Sequence, residues 1–219
     1  MDKKSFYYLM SNISKLLSEN TPYAPIIAHS SSTAELLNTN TYLVGGFVRD
    51  MLLNKKLIDI DLMVEGDAEK FAYKLSEKLN VNKVIEFEKF HTYRIPYKNF
   101  EIDIAEARKE TYESLSRKPS KVTSATISED LGRRDFTVNA IALSLNKENL
   151  GELIDPFKGI QDLNKGILRT PKDPDITFSD DPLRMLRAIR FAAQLDFKIE
   201  KDIIHSIINQ ADRIKIVSW

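Results

Sequence analysis

Tyr42-Leu43-Val44-Gly45-Gly46-Phe47-Val48-Arg49-Asp50, followed shortly by Asp59-Ile60-Asp61, is the stretch from which the rest of the chain can be read. Tyr42 to Val44 is a short apolar run that predicts a strand, and Gly45-Gly46 ends it. Glycine lets backbone amides come close to an anion and accepts unusual φ/ψ values. Arg49 follows, a planar cation whose fork matches phosphate oxygens. Met51-Leu52-Leu53 predicts a short apolar helix. No Gly-Lys-Ser/Thr comes after the glycines, so this is not a P-loop, and the Gly-x-Gly spacing of dinucleotide folds is absent.

The acidic stretch has strand periodicity. Side chains on a strand alternate faces. Ile58, Ile60, Leu62 and Val64 therefore share an apolar face, and Asp59 and Asp61 share the opposite one. Two carboxylates that close repel each other unless a cation or proton lies between them. Such hard oxygen donors suit magnesium or manganese. Met63 stands where an EF-hand would need its third ligand, which excludes that loop. An isolated Asp-x-Asp is more often an acidic strand face. The sequence strand, Gly-Gly, Arg, short helix, acidic strand is far more specific.

Two further segments extend the pattern. Arg133-Arg134-Asp135-Phe136-Thr137-Val138-Asn139-Ala140 sets two arginines against an apolar run. Asp180-Asp181-Pro182 then signals a helix start. Along that helix Arg184, Arg187 and Arg190 recur every third residue with no acids between them. Met185, Leu186, Ile189, Ala192 and Ala193 are expected on its core side. An unneutralised arginine row points to an anionic ligand.

Taken together, these motifs resemble the class II nucleotidyltransferases, the CCA-adding enzymes of tRNA and the bacterial poly(A) polymerases. The resemblance runs from about Tyr42 to Phe197. It comprises Gly-Gly-x-Val-Arg-Asp, Asp-x-Asp, Arg108-x-Glu110-x-Tyr112, Arg-Arg-Asp-Phe-Thr-x-Asn-Ala, Asp155-Pro-Phe-x-Gly159 and the Asp-x-x-Arg helix. One departure is Asp180, where the family usually has Glu. The resemblance implies an α+β fold: a mixed β-sheet head with flanking helices, followed by an all-α neck. It implies that Asp59 and Asp61 hold two magnesium ions, with manganese as a substitute. Gly45, Gly46, Arg49, Arg134, Arg187 and Arg190 correspond to triphosphate contacts. Asp181 and Arg184 correspond to the pair that reads the base edge. Asp103, on what reads as a neighbouring strand (Phe100–Ala105), is a candidate third catalytic carboxylate, and an edge-strand charge is the competing reading. The implied partners are ATP, CTP and the tRNA 3′ end. The implied reaction is CMP and AMP addition without a template, with poly(A) addition or A-only addition as alternatives. The retained Arg108-x-Glu110-x-Tyr112 segment argues for A addition being possible. A non-catalytic nucleotide- or RNA-binding module is the alternative from another class.

Composition is compatible with this. The chain has 219 residues, 42% of them apolar, with 32 basic and 32 acidic side chains. A net charge of zero is unusual for an RNA-binding protein, so basic surface must be local or lie in a missing part. There is no cysteine, and His29, His91 and His205 are too scattered for a triad or zinc site. No signal peptide or membrane span is legible, and a cytoplasmic protein is expected. The expected organisation is a helical segment and linker over 1–40, a catalytic head over 41–168 and the truncated start of a neck over 169–219. Met1–Leu17 is expected to be an amphipathic helix. Ser30-Ser31-Ser32-Thr33 is expected to be a polar connector, with Ser32 and Glu35 as a capping box. Asp67 is expected to cap a helix through Leu79, and residues 117–129 to form a mobile loop. Ile203, Ile204, Ile207 and Ile208 form an apolar helical stripe through which self-association is expected.

Overall fold

The computed structural model describes residues 3–87, 91–112 and 119–217. In chain order its elements are α1 (Lys3–Leu16), α2 (Ala24–Leu37), β1 (Asn40–Val44), α3 (Gly46–Leu52), β2 (Ile60–Glu65), α4 (Ala68–Lys78), β3 (Ile85–Phe87), β4 (Thr92–Tyr97), β5 (Phe100–Glu106) and β6 (Arg108–Tyr112). There follow β7 (Pro119–Ser124), α5 (Ile127–Gly132), β8 (Ala142–Ser144), β9 (Leu153–Ile154), α6 (Gly159–Lys165), β10 (Ile167–Leu168), α7 (Pro174–Asp180), α8 (Leu183–Leu195), β11 (Lys198–Ile199) and α9 (Lys201–Gln210). They sort into two compact units. The first is Met1–Ala107 with Ala142–Ile154, and the second is Arg108–Ile141 with Asp155–Trp219. This division by packing does not coincide with the division at residue 168 drawn from sequence.

The first unit is built on a seven-stranded sheet in the order β3-β4-β5-β2-β1-β8-β9. β2 and β5 run parallel, and the other neighbours are antiparallel. Ile60, Leu62 and Val64 are buried, as the alternation predicts. The strand starts at Ile60, however, and Ile58 is 60% exposed rather than packed. The reason is next door: β1 ends at Val44 and the chain turns at Gly45 into α3, so the ladder has nothing to continue on that side. Asp67 caps α4, its carboxylate accepting the Lys70 N–H at 2.8 Å. Phe71, Ala72 and Leu75 bury one face of that helix.

The expected polar connector at Ser30–Thr33 is instead the middle of α2, which Pro25 starts. Ser30 and Thr33 are buried with Ile26, Ile27 and Ala34. Tertiary packing overrides the weak helix preference of serine and threonine here.

The second unit holds two small sheets. β6 pairs antiparallel with β7, and β10 pairs parallel with β11. The expected loop over 117–129 is therefore corrected: β7 and α5 occupy most of it, and residues 117–118 lie outside the described set. A capping box starts α5, with Thr126 and Glu129 each accepting the other's backbone N–H. β11 also puts a short strand into the region expected to be all helix. On α8 the buried stripe is Met185, Ala188 and Phe191, while Ile189 is 57% exposed. The predicted core side was thus set slightly around the helix from the true one. Phe136 meets Phe191 edge to face, 5.8 Å between centroids. Among the described residues, no helix is long and apolar enough to cross a membrane.

Candidate active site

Gly45 has φ 69° and ψ −134°, a conformation in which a side chain would be strained. It lets the chain leave β1 and enter α3 in a single residue. One turn later Arg49 donates from Nε and Nη2 to the two oxygens of Asp50, each at 2.8 Å. The Arg49 side chain is mostly buried, and its Nη2 lies 3.5 Å from where a Gly46 Cβ would stand. Arg49 is thus a fixed cation beside the glycine turn.

This turn and the acidic strand open onto one cavity of about 120 Å³. Gly46, Phe47, Asp50, Lys56, Leu57, Ile58, Asp59 and Asp61 line it. Asp59 is exposed just before β2, and Asp61 is half-buried at its second position. Lys56 was not singled out in the sequence. A lysine before an acidic strand has no period to mark it, and only the fold brings it to the cavity.

Asp103 sits directly beside Asp61 across the parallel β2–β5 pair. Directly paired residues point to the same face, so Asp61 and Asp103 share one. On the other side of Asp103 stands Arg94 of β4. Its Nε and Nη2 donate to the two Asp103 oxygens at 2.6 and 2.8 Å. Asp103 is thereby next to the acidic pair and claimed by an arginine, and the edge-strand reading is corrected, since β5 lies inside the sheet between β4 and β2. Arg94 itself had no signal in sequence, because cross-strand pairing is a long-range fact.

Do these residues suit a divalent cation? Among the described residues, no group of three or more His, Asp or Glu side chains is arranged to hold a metal alone. Asp59 and Asp61 nevertheless supply two hard oxygen donors to one small cavity. That fits a cation completing its shell with water and phosphate oxygens.

The remaining expected residues lie in the second unit. Asp130 is fully buried and binds Arg133 and Arg134, with closest approaches of 2.6 and 3.1 Å. Burial alone would raise its pKa, and the charges of Arg134 and Arg133 outweigh that and hold it low. Arg187 donates to Asp135 from Nε at 2.7 Å and from Nη2 at 2.5 Å. Arg184 donates to the carbonyls of Arg133 at 2.8 Å and Thr177 at 3.4 Å. Asp181 accepts the Leu183 N–H at 3.1 Å. Arg190 is exposed and lies over the Phe191 ring, 5.1 Å from its centroid. Asp180, where the family usually has Glu, has its pKa raised by burial, with Arg184 and Lys172 opposing.

The Asp155-Pro-Phe-x-Gly159 motif has an architectural explanation. Asp155 accepts the N–H groups of Gly159 and Ile160 at 2.6 and 3.0 Å, closing the start of α6. A Cβ on Gly159 would stand 2.1 Å from the Thr137 carbonyl oxygen, so only glycine fits.

Comparison with known proteins bears on this geometry. The chain matches the Poly A polymerase head domain family over residues 41–169. Over 160 residues it is 44% identical to an A-adding tRNA nucleotidyltransferase of Aquifex aeolicus (strain VF5), covering 73% of this chain and 19% of that protein. A solved CCA-adding enzyme, apo form II, is similar with a TM-score of 0.82 and 40% identity, over 91% of this chain and 47% of that one. A tRNA nucleotidyltransferase complexed with a primer tRNA and an incoming ATP analog is similar with a TM-score of 0.73 and 37% identity, over 84% and 50%. The chain thus spans half or less of the length of these relatives.

Proposed function

The chain belongs to the Poly A polymerase head domain family, and on that premise we propose that it is the catalytic part of a template-independent RNA nucleotidyltransferase. Its substrates are ATP and CTP, and its acceptor is the 3′ end of tRNA, in the cytoplasm. The observation that carries this is the meeting of Asp59 and Asp61 with the Gly46 turn in one cavity, with Asp103 beside Asp61. We take residues 41–168 as the catalytic head and 169–219 as the beginning of a helical neck.

Asp59 and Asp61 are the residues that would hold magnesium, with Asp103 beside them. When bound, such ions lower the pKa of an attacking hydroxyl and balance charge on a departing pyrophosphate. Arg49, fixed by Asp50, orients the triphosphate, and the glycine turn lets the phosphates approach the backbone. Arg134 and Arg187 keep their carboxylate partners and still have N–H donors for phosphate, since a guanidinium carries five. Arg190 adds a further exposed cation. Asp181 accepts from the exocyclic amine that C and A share, and Arg184 donates to the adjacent ring acceptor. Their own hydrogen bonds to backbone hold both side chains in place for that.

The test is incubation with magnesium, labelled ATP or CTP, and tRNA lacking its 3′ terminus. Label should enter the RNA with the unaltered chain and not with Asp61→Ala. One A per end, CCA, or a long A tail distinguishes A addition, CCA addition and poly(A) synthesis. Nucleotide binding without any addition would instead support a non-catalytic binding module.

A further inference from the structure

The acidic end of the central sheet carries more charge than the two expected metal ligands. Asp59, Asp61, Glu101 and Asp103 lie together on β2, β5 and the residue before β2. Arg94 faces them from β4, opposite Asp103. It holds both Asp103 oxygens and reaches Glu101 at 2.5 Å. Its side chain is 31% exposed and that of Asp103 is 27% exposed, so the pair stands at the edge of solvent, free of a buried lock. Hydrogen bonding to Asp103 raises the Arg94 pKa, and the charges of Asp103, Glu101 and also Asp59 raise it further. The arginine therefore feels Asp59 of the acidic pair and not only its direct partners.

We propose that Arg94 is a built-in counter-ion that competes with the divalent cation for Asp103. This inference rests on the metal reading of Asp59 and Asp61 given above. With no cation present, the guanidinium offsets the repulsion among the four acids. A divalent ion arriving at Asp59 and Asp61 meets a fixed positive charge one strand beyond Asp103, and an Asp103 whose oxygens are both engaged. Cation binding and the Arg94–Asp103 pair oppose each other, and each weakens the other by the same factor. Arg94 is a positioning residue in this account. It sets how empty the third carboxylate is when the cation comes.

The experiment measures Mn²⁺ binding to the whole chain by electron paramagnetic resonance, with and without ATP. Thermal unfolding is followed in parallel at zero and saturating Mn²⁺. Arg94→Gln should bind Mn²⁺ roughly tenfold more tightly than the unaltered chain. It should also melt lower without Mn²⁺ and gain more from its addition. In an Asp103→Asn background the same substitution should change affinity by less than about twofold. Arg94→Lys keeps the charge but loses the two-pronged grip, and its affinity should fall between. Should Arg94→Gln not fold, the lysine variant decides: tighter binding than the unaltered chain sustains the inference. Equal or weaker Mn²⁺ binding by these variants overturns it, as does a melting loss that is the same with and without the ion. If the unaltered chain binds no Mn²⁺, the metal reading itself fails, and the inference falls with it.

Discussion

Two charge clusters of this molecule invite comparison. In the second unit, Asp130 and Glu110 are set among Arg108, Arg133 and Arg134, and every acid has an arginine against it. In the first unit, Asp59, Asp61, Glu101 and Asp103 stand together, and Arg94 ion-pairs with two of the four. The first arrangement is largely buried and each carboxylate is held by arginines, which keeps buried charge paired. The second is half-exposed and acid-rich beside a cavity. Exposure beside a cavity separates the two clusters, and it is a better marker of a ligand than the number of charges.

The comparison breaks most directly at Asp61. Asp61→Ala should lower nucleotide addition by at least about a thousandfold, roughly 4 kcal/mol in barrier, while nucleotide affinity falls far less. Primer extension beside nucleotide titration reads both, and near-normal extension would remove the metal assignment. Asp59→Ala should behave alike.

In the buried cluster the loss should appear in stability. Asp130→Asn leaves Arg133 and Arg134 without their buried partner and should cost about 3 kcal/mol in urea unfolding. The pH dependence follows from the lowered pKa. Stability from Asp130 is fully present above the ordinary carboxylate range near pH 4. It is lost as pH falls below that range toward the lowered folded value. A unit whose stability did not drop in acid more steeply than that of the Asn variant would contradict the pairing of Asp130 with its arginines.

Gly159→Ala tests packing without charge. The added methyl meets the Thr137 carbonyl and should cost about 2 kcal/mol through backbone displacement. Arg184→Ala should relax discrimination against UTP and GTP by about 1–2 kcal/mol, read by competition among four nucleotides. A uniform loss of affinity with unchanged preference would make Arg184 a phosphate ligand. The smallest effect belongs to Ile208, which is 68% exposed on α9. Ile208→Lys should leave stability within about 0.5 kcal/mol and reduce self-association seen by light scattering. A concentration-independent monomer before the substitution would dispose of the apolar-stripe proposal.

Much of this was legible because local rules and burial agree. The alternation of Ile60, Leu62 and Val64 gave a half-buried strand, and Asp67 with Phe71 and Leu75 gave a capped helix facing the core. The glycine turn followed from Gly45, whose backbone conformation would strain a side chain. The misses share a cause of the opposite kind. Ser30 to Thr33 look like a linker until packing buries Ser30 and Thr33. β6 and β7 carry little apolar pattern, because their pairing is by backbone hydrogen bonds rather than by a buried face. Ile189 was placed inward by a row of arginines whose partners, such as Asp135 for Arg187, lie on a different segment. The Arg94–Asp103 pair was invisible for the same reason, since it depends on the register of two strands.

One feature of the sheet also bears on how the chain is made. β1 pairs on one side with β2, about twenty residues later, and on the other with β8, where Tyr42 meets Ser144. During synthesis from the N-terminus, the β8 side of β1 stays an open edge until some hundred further residues have emerged. A nascent chain halted before Ala142 would expose the backbone of Tyr42, Leu43 and Val44 as a template for other strands. The sticky interval is set by the whole stretch between Val44 and Ala142, so shortening its part through residues 108–141 should speed closure of the sheet.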